Sequence, residues 1–370
     1  MTPRLFEPIK LAKLELANRI IISPMCQYSA SLEGVATSWH TIHLGHLALS
    51  GAGLLIIEAT AVEAAGRITY GDLGLYSDAC ERGLAAVLES VRAHAAMPIG
   101  IQLAHAGRKA SHRLPWQGGT QIPLAEGGWM TSAPSAVPFL TNTEAPAALD
   151  AAGLERVKTA FKTAAQRAVR LGLEAIEIHS AHGYLLHEFL SPLANKRDDH
   201  YGGSLANRMR FPLEVFDAIR AVVPPQIPLG VRVSATDFFE GGWDLEQTLA
   251  YTTDLKARGA AFFDASGGGL TPEQKIPLRP GYQVPFAEAI KRETGVPTIA
   301  VGLITEAEQA EAIVASGQAD MVALARGILY DARWPWHAAA KLGARLQGPK
   351  QYLRAPPREA QNVFLPAAAS

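Results

Sequence analysis

Leu54-Leu55-Ile56-Ile57-Glu58-Ala59 opens with four large apolar residues in an unbroken row. A strand covered on both faces reads this way, and parallel sheets are covered on both faces. Met321-Val322-Ala323-Leu324-Ala325 repeats the pattern near the other end of the chain. Counting outward from these two, short β-rich runs lie at residues 19–23, 54–59, 99–105, 175–181, 229–235, 262–267, 297–302 and 321–327. Amphipathic stretches separate several of them. Residues 154–171 put Val157, Phe161, Ala164, Ala165 and Ala168 on one helical face. Residues 211–223, 245–258, 286–292 and 307–315 behave alike, and Gly172, Gly259, Gly295 and Gly317 stand where left-handed C-caps belong.

Eight strands alternating with helices predict a (β/α)8 TIM barrel, a single α/β domain over residues 1–370 with its core at about 5–345 and a tail at 349–370. An open doubly wound sheet would carry G-x-G-x-x-G after its first strand. Here that strand runs into Ser23-Pro24-Met25-Cys26, and Gly51-Ala52-Gly53 precedes a strand instead of following one. Residues 113–146, rich in Gly, Pro, Thr and Ser, predict an extended loop over the C-terminal face. The tail after Gly348 breaks the helical pattern, and its last residues are expected to be disordered.

Composition narrows the function. The 370 residues are 48% hydrophobic and 19% charged, which excludes a disordered chain. Lysines and arginines number 34 against 35 acidic residues, net -1, so no field recruits nucleic acid or an anionic membrane. The most apolar stretch, residues 47–57, is shorter than the ~20 residues of a bilayer crossing. The N-terminus lacks the apolar core of a signal peptide, and Cys26 and Cys80 make no disulfide framework. A cytoplasmic protein is expected.

In such a barrel the chemistry gathers at the C-terminal strand ends. That selects Cys26 and Tyr28 after the first strand, Glu58 and Thr60 at the second, Gln102 and His105 at the third, and His179, His182 and Tyr184 at the fourth. Arg232 and Ser234 follow at the fifth, Gly267 to Gly269 at the sixth, Gly302 at the seventh, and Arg326 with Gly327 at the eighth. His179-Ser180-Ala181-His182-Gly183-Tyr184 is the densest cluster. Two imidazoles three residues apart converge on one oxygen, and a phenol beside them passes a proton. The alternatives are a histidine that caps the strand structurally, and a metal site completed by Glu177.

Arg232, inside an apolar strand, meets either an anion that develops on a bound cofactor or a carboxylate on a neighbouring strand. Gly302 and Ala325-Arg326-Gly327 suit a phosphate. Cys26 is a nucleophile, a redox tuner or a small buried hydrophobe. His40, His43 and His46 read as helix-face residues, because no H-E-x-x-H pattern accompanies them.

Asn18-Arg19-Ile20 with Ser23-Pro24-Met25-Cys26-Gln27-Tyr28, and Gln102-Leu103-Ala104-His105-Ala106-Gly107-Arg108-Lys109, resemble the Old Yellow Enzyme family of FMN-dependent ene-reductases. So do His179 through Tyr184, Ser191-Pro192, Tyr201-Gly202-Gly203-Ser204 with Asn207-Arg208, and Pro280-Gly281-Tyr282-Gln283-Val284. The Cys and Tyr after the first strand resemble its bacterial thermophilic-like branch. The resemblance implies FMN across the barrel mouth, lined by Ser23, Pro24, Met25 and Cys26, with Cys26 modulating its potential. It implies Ala59 and Gln102 at the ring's polar edge, Arg232 at the N1/C2 region, and Gly302, Ala325 and Arg326 at the phosphate. NADPH is the implied reductant and a small enone or enal the implied substrate, held by His179 and His182 beside Tyr28. Hydride then passes from flavin N5 and Tyr184 supplies the proton. In that branch an arginine near the C-terminus enters a neighbouring subunit's site, which implies Arg354 in Gln351-Tyr352-Leu353-Arg354 and a homodimer or dimer of dimers.

Overall fold

The computed structural model describes residues 2–365. Disorder was expected at the end of the tail; residues 366–370 lie outside the described residues. A hairpin of β1 (Ile9–Leu11) and β2 (Leu14–Leu16) precedes the barrel. The barrel strands are β3 (Ile20–Ile22), β4 (Leu54–Ala61), β5 (Ile99–Ala104), β8 (Ala175–Ser180), β9 (Leu229–Ser234), β10 (Phe262–Ser266), β11 (Thr298–Ala300) and β12 (Met321–Leu324). They close in the order β10-β11-β12-β3-β4-β5-β8-β9, every neighbouring pair parallel. All eight runs read from the sequence are strands, trimmed or extended by a few residues at their ends.

Helices α1 (Ser38–Ala48), α2 (Asp78–Arg92), α3 (Ala151–Arg170), α4 (Leu185–Leu190), α5 (Leu205–Arg220), α6 (Leu245–Ala257), α7 (Val284–Thr294), α8 (Ala307–Ala315), α9 (Arg326–Tyr330) and α10 (Trp334–Leu342) fill the connections. Helix α5 starts six residues ahead of the expected position. Ser204 is its N-cap, accepting the Asn207 backbone N–H, and Pro212 lies inside the helix. The eighth strand ends at Leu324, so Arg326 opens α9 instead of closing a strand.

Two apolar layers result. The outer one joins the strands to the helices, with Phe161, Phe189, Phe211 and Phe216 among its largest members. The inner one closes the N-terminal end of the barrel with Ile21, Leu54, Phe262, Ile299 and Met321, and Leu11 and Leu16 of the hairpin belong to it. Gly230 makes room for Phe262, whose ring lies 2.3 Å from where a Cβ would stand. Polar groups inside the barrel are thereby confined to its middle and its C-terminal mouth.

The long loop carries the short pair β6 (Ser132–Ala133) and β7 (Ala147–Ala148). Its Trp116 meets Tyr28 edge-on at 6.2 Å, so the loop does reach over the C-terminal face. Among the described residues no helix is long and apolar enough to cross a membrane.

Candidate active site

His179 stands near the end of β8, and the chain turns at once through His182 and Gly183, both at positive φ (58° and 72°). The turn is tied from several sides. The His182 N–H donates to Ser234 Oγ (2.9 Å), and the Gly183 N–H donates to His187 Nδ1 (2.9 Å). His187 Nε2 lies 3.0 Å from Asp237 Oδ1, and Ser191 Oγ donates to Asp237 Oδ2 (2.6 Å). A Cβ at Gly183 would stand 2.2 Å from the Gly269 carbonyl oxygen. Gly183→Ala is therefore expected to cost about 1–3 kcal/mol of unfolding free energy in urea titration, with His182 and Tyr184 displaced together.

The two imidazoles meet edge to face, ring centroids 5.1 Å apart. His179 Nδ1 accepts the Ala181 N–H (3.3 Å), so the neutral ring carries its proton on Nε2, which lies 3.4 Å from His182 Nδ1. His182 Nε2 is 2.7 Å from Ser266 Oγ, and Ser266 Oγ is 3.3 Å from Gln283 Oε1. Burial, then the Arg232 charge, holds both histidines well below the usual imidazole range, so both are neutral donors at neutral pH. The Tyr184 ring packs 5.0 Å from His179. Burial first, then the Cys26, Tyr28 and Asp72 groups, pushes its phenol well up, and it keeps its proton.

Lys109, quoted above within a motif but given no role, belongs to this group. Its Nζ donates to the His182 (2.8 Å) and Gly269 (3.0 Å) carbonyls and lies 4.9 Å from the Tyr184 ring centroid. Burial pulls its pKa down to about 8. A lysine directly after Arg108, at the end of the β5 loop, was the available sequence signal.

Ser23, Pro24, Met25 and Cys26 form the loop after β3. The Ser23 N–H donates to the Leu324 carbonyl (2.9 Å), and the Gln27 N–H to Glu58 Oε2 (2.8 Å). Glu58 also faces His40 Nε2 at 3.4 Å, so Glu58 supports the loop from behind instead of facing the mouth. Cys26 is half-buried, and burial followed by Asp72 and Glu58 raises its thiol pKa, which argues against the nucleophile alternative. Tyr28 sits at φ 53° beneath Trp116, its hydroxyl also raised by burial.

Inside the barrel Gln102 Nε2 donates to Glu177 Oε1 (2.7 Å), and Arg232 Nε lies 3.3 Å from Asp264 Oδ2. The neighbouring-strand carboxylate thus exists, at the Nε side of Arg232. Its Nη groups have no protein acceptor among the described residues.

His105 does not join the site. Its Nδ1 accepts the Gly107 N–H (3.0 Å) and its Nε2 meets Glu63 Oε1 (2.9 Å). Burial alone would raise the Glu63 pKa, but the hydrogen bonds and charges of His105 and Arg156 win and hold it at about 2. A depressed carboxyl contributes stability above its unfolded pKa and loses it as pH falls through the folded one. Glu63→Gln is thus expected to cost about 1–3 kcal/mol at neutral pH, with the deficit closing between the ordinary 4.5 and about 2 in denaturation at several pH values.

His40 closes the start of α1 by accepting the Thr37 N–H at Nδ1 (3.0 Å). Burial lowers the His43 pKa to about 4. Among the described residues no three His, Cys, Asp or Glu side chains are grouped to hold a metal, which leaves the His179–His182–Glu177 alternative without a ligand set.

The residues at the mouth fit a flavin mononucleotide. Ser23 Oγ and Arg232 Nε are buried without a hydrogen-bond partner among the described residues. Gly302 follows β11 at φ 117°, and a Cβ at Gly327 would meet open space beside the exposed Arg326. A cavity of about 450 Å³ adjoins Cys26, Tyr28, Trp39, Trp116 and Leu329. A larger one, about 810 Å³, lies at the opposite end of the barrel against Asn18, Gly53, Pro98 and the tail residues Arg345 to Gln351. It holds none of the converging donors, so the chemistry belongs to the mouth. Arg354 is exposed on that tail, and no hydrogen bond or ion pair ties it to its own mouth among the described residues.

Residues 4–344 match the NADH:flavin oxidoreductase / NADH oxidase family. An NADPH dehydrogenase of Geobacillus thermodenitrificans (strain NG80-2) is 44% identical over 355 residues, 96% of this chain and 99% of that protein. A structure of morphinone reductase in complex with tetrahydroNAD superposes with a TM-score of 0.74 at 29% identity, over 100% of this chain and 99% of that one. The old yellow enzyme homologue from Zymomonas mobilis, at 24% identity and TM-score 0.74 over 98% of each chain, shares the fold.

Proposed function

The chain belongs to the NADH:flavin oxidoreductase / NADH oxidase family, that of Old Yellow Enzyme, and from its FMN- and NADPH-dependent chemistry we propose that it reduces the activated C=C bond of α,β-unsaturated carbonyl compounds. The observation that carries this reading is the meeting of two neutral imidazoles and a protonated phenol at one strand end.

Bound FMN supplies the two-electron hydride exchange between NADPH and the enone. Ser23, Pro24, Met25 and Cys26 would line it, with Ala59 and Gln102 at its polar edge, Arg232 opposite its anionic side, and Gly302, Ala325 and Arg326 at the phosphate. The His179 Nε2–H donates to the substrate carbonyl. His182 donates from Nδ1 when Ser266 turns its hydroxyl proton onto Nε2, a reversal the 2.7 Å contact permits. Two such donors hold the negative charge that grows on that oxygen. Tyr184 holds the proton for the α-carbon, Lys109 fixes the turn that carries it, and Tyr28 closes the pocket.

The same reading makes the chain a homodimer or dimer of dimers, with Arg354 completing a neighbouring mouth. Exposed Trp39, Ile42, Leu329 and Tyr330 on α1 and α9 support a contact there. A cytoplasmic setting fits the two free cysteines.

The test is direct. Purified holoprotein should be yellow, bleach with NADPH in the absence of air, and recover its colour with cyclohexenone. Protein that bleaches but is not reoxidised by the enone overturns the proposed reaction.

A further inference from the structure

Between the apolar floor and the imidazoles, four polar side chains meet inside the barrel: Gln102, Glu177, Arg232 and Asp264. Strand register sets Gln102 opposite Glu177 across β5 and β8, and Arg232 opposite Asp264 across β9 and β10, with the two pairs two residues apart in the register of β8 on β9. They are nearly sealed, with exposures of 2, 1, 7 and 1%. Fully ionised, the set holds two negative charges against one positive. An unanswered ion at this depth costs several kcal/mol, so neutrality is restored by keeping one proton.

Geometry decides which acid keeps it. Asp264 Oδ2 lies 3.3 Å from Arg232 Nε, an ion pair without a hydrogen bond, since neither Asp264 oxygen nor Nε has a hydrogen-bond partner among the described residues. Glu177 meets only a neutral amide, Gln102 Nε2 at 2.7 Å from Oε1, and its Oε2 is buried with no partner. Asp264 therefore answers Arg232, and Glu177 holds the proton. The charged groups that face Glu177 are Asp264 from β10 and Arg232 from β9; His179 on its own strand is neutral. Burial raises the pKa of both acids, Asp264 adds to the rise at Glu177, and Arg232 opposes it.

We propose that Glu177 is a protonated acid beneath the flavin at neutral pH, and that its ionisation under alkaline conditions lowers the reduction potential of the bound FMN. The proposal rests on the FMN reading above. Reduction by NADPH brings two electrons and one proton as hydride. The negative charge gained at the mouth strengthens the hold of Glu177 on a proton. In the alkaline range each reduction thus draws a second proton, from water, onto the Glu177 carboxylate.

The midpoint potential of the holoprotein, measured by dye equilibration from neutral to alkaline pH, tests this. The wild type is expected to pass from one proton per two electrons to two as pH rises, whereas Glu177→Gln should keep one throughout. Infrared difference spectra of wild type minus Glu177→Gln should show the C=O stretch of a protonated carboxylic acid at neutral pH, with or without FMN. Asp264→Asn, which leaves Glu177 as the only answer to Arg232, should remove that band from otherwise folded protein, so the infrared measurement decides even if Glu177→Gln fails to fold. Superimposable potential profiles, or no acid band assignable to Glu177, overturn the proposal. Protein that binds no FMN defeats the functional reading instead, while the infrared result still decides the protonation state.

Discussion

Tyr184→Phe is expected to slow reoxidation of the NADPH-reduced enzyme by cyclohexenone about 10²- to 10⁴-fold, the usual contribution of a positioned general acid. The phenol sits against His179, 5.0 Å between ring centroids, and its hydroxyl bonds to no protein atom among the described residues. Its proton is therefore uncommitted, and burial keeps it in place. The variant removes one oxygen and leaves the ring packed, so binding of the enone and reduction by NADPH should hardly change. Stopped-flow measurement of each half-reaction separates the two steps. A matching collapse of the reductive step would remove Tyr184 from the proton-donor role.

The second large effect concerns folding. Arg232→Met leaves Asp264 and Glu177 in the barrel with no cation, a change that removes one partner of a buried pair and costs about 3–5 kcal/mol at neutral pH. Both carboxyls then have folded pKa values raised above their unfolded ones. Such groups contribute their full stability below the unfolded pKa and lose it as pH rises through the folded value. The deficit should accordingly shrink toward acid pH in urea titrations of the apoprotein. Adding Asp264→Asn should return most of the stability at neutral pH. A single variant that is equally deficient at all pH values, or a double variant no better than the single, would show that charge is not the cause.

Much of this was legible along the chain because it is local. Eight apolar runs became eight strands, since each run needs only its own residues to show burial on both faces. His179, His182 and Tyr184 were legible for the same reason, being close neighbours at one strand end. Partners supplied by distant strands were not. Asp264 reads as a lone carboxylate within Phe262-Phe263-Asp264-Ala265, and only the register of β9 against β10 sets it beside Arg232. Ser266 escaped notice, and Gln283 was quoted within a motif without a role, because their value lies in what His182 needs at Nε2. His105 and Glu58 occupy the expected strand positions, yet Glu63 and His40 turn them to structural work. Position at a strand end chooses candidates; the direction of the side chain comes from the neighbours.

The hairpin and the Phe262 layer give the cylinder a stopper. On the function proposed above, a plug at one end leaves reductant and oxidant a single doorway, at the mouth. They must visit by turns, each leaving before the other enters. Excess enone should therefore crowd out NADPH, and initial-rate plots at several fixed enone concentrations should run parallel while both are dilute.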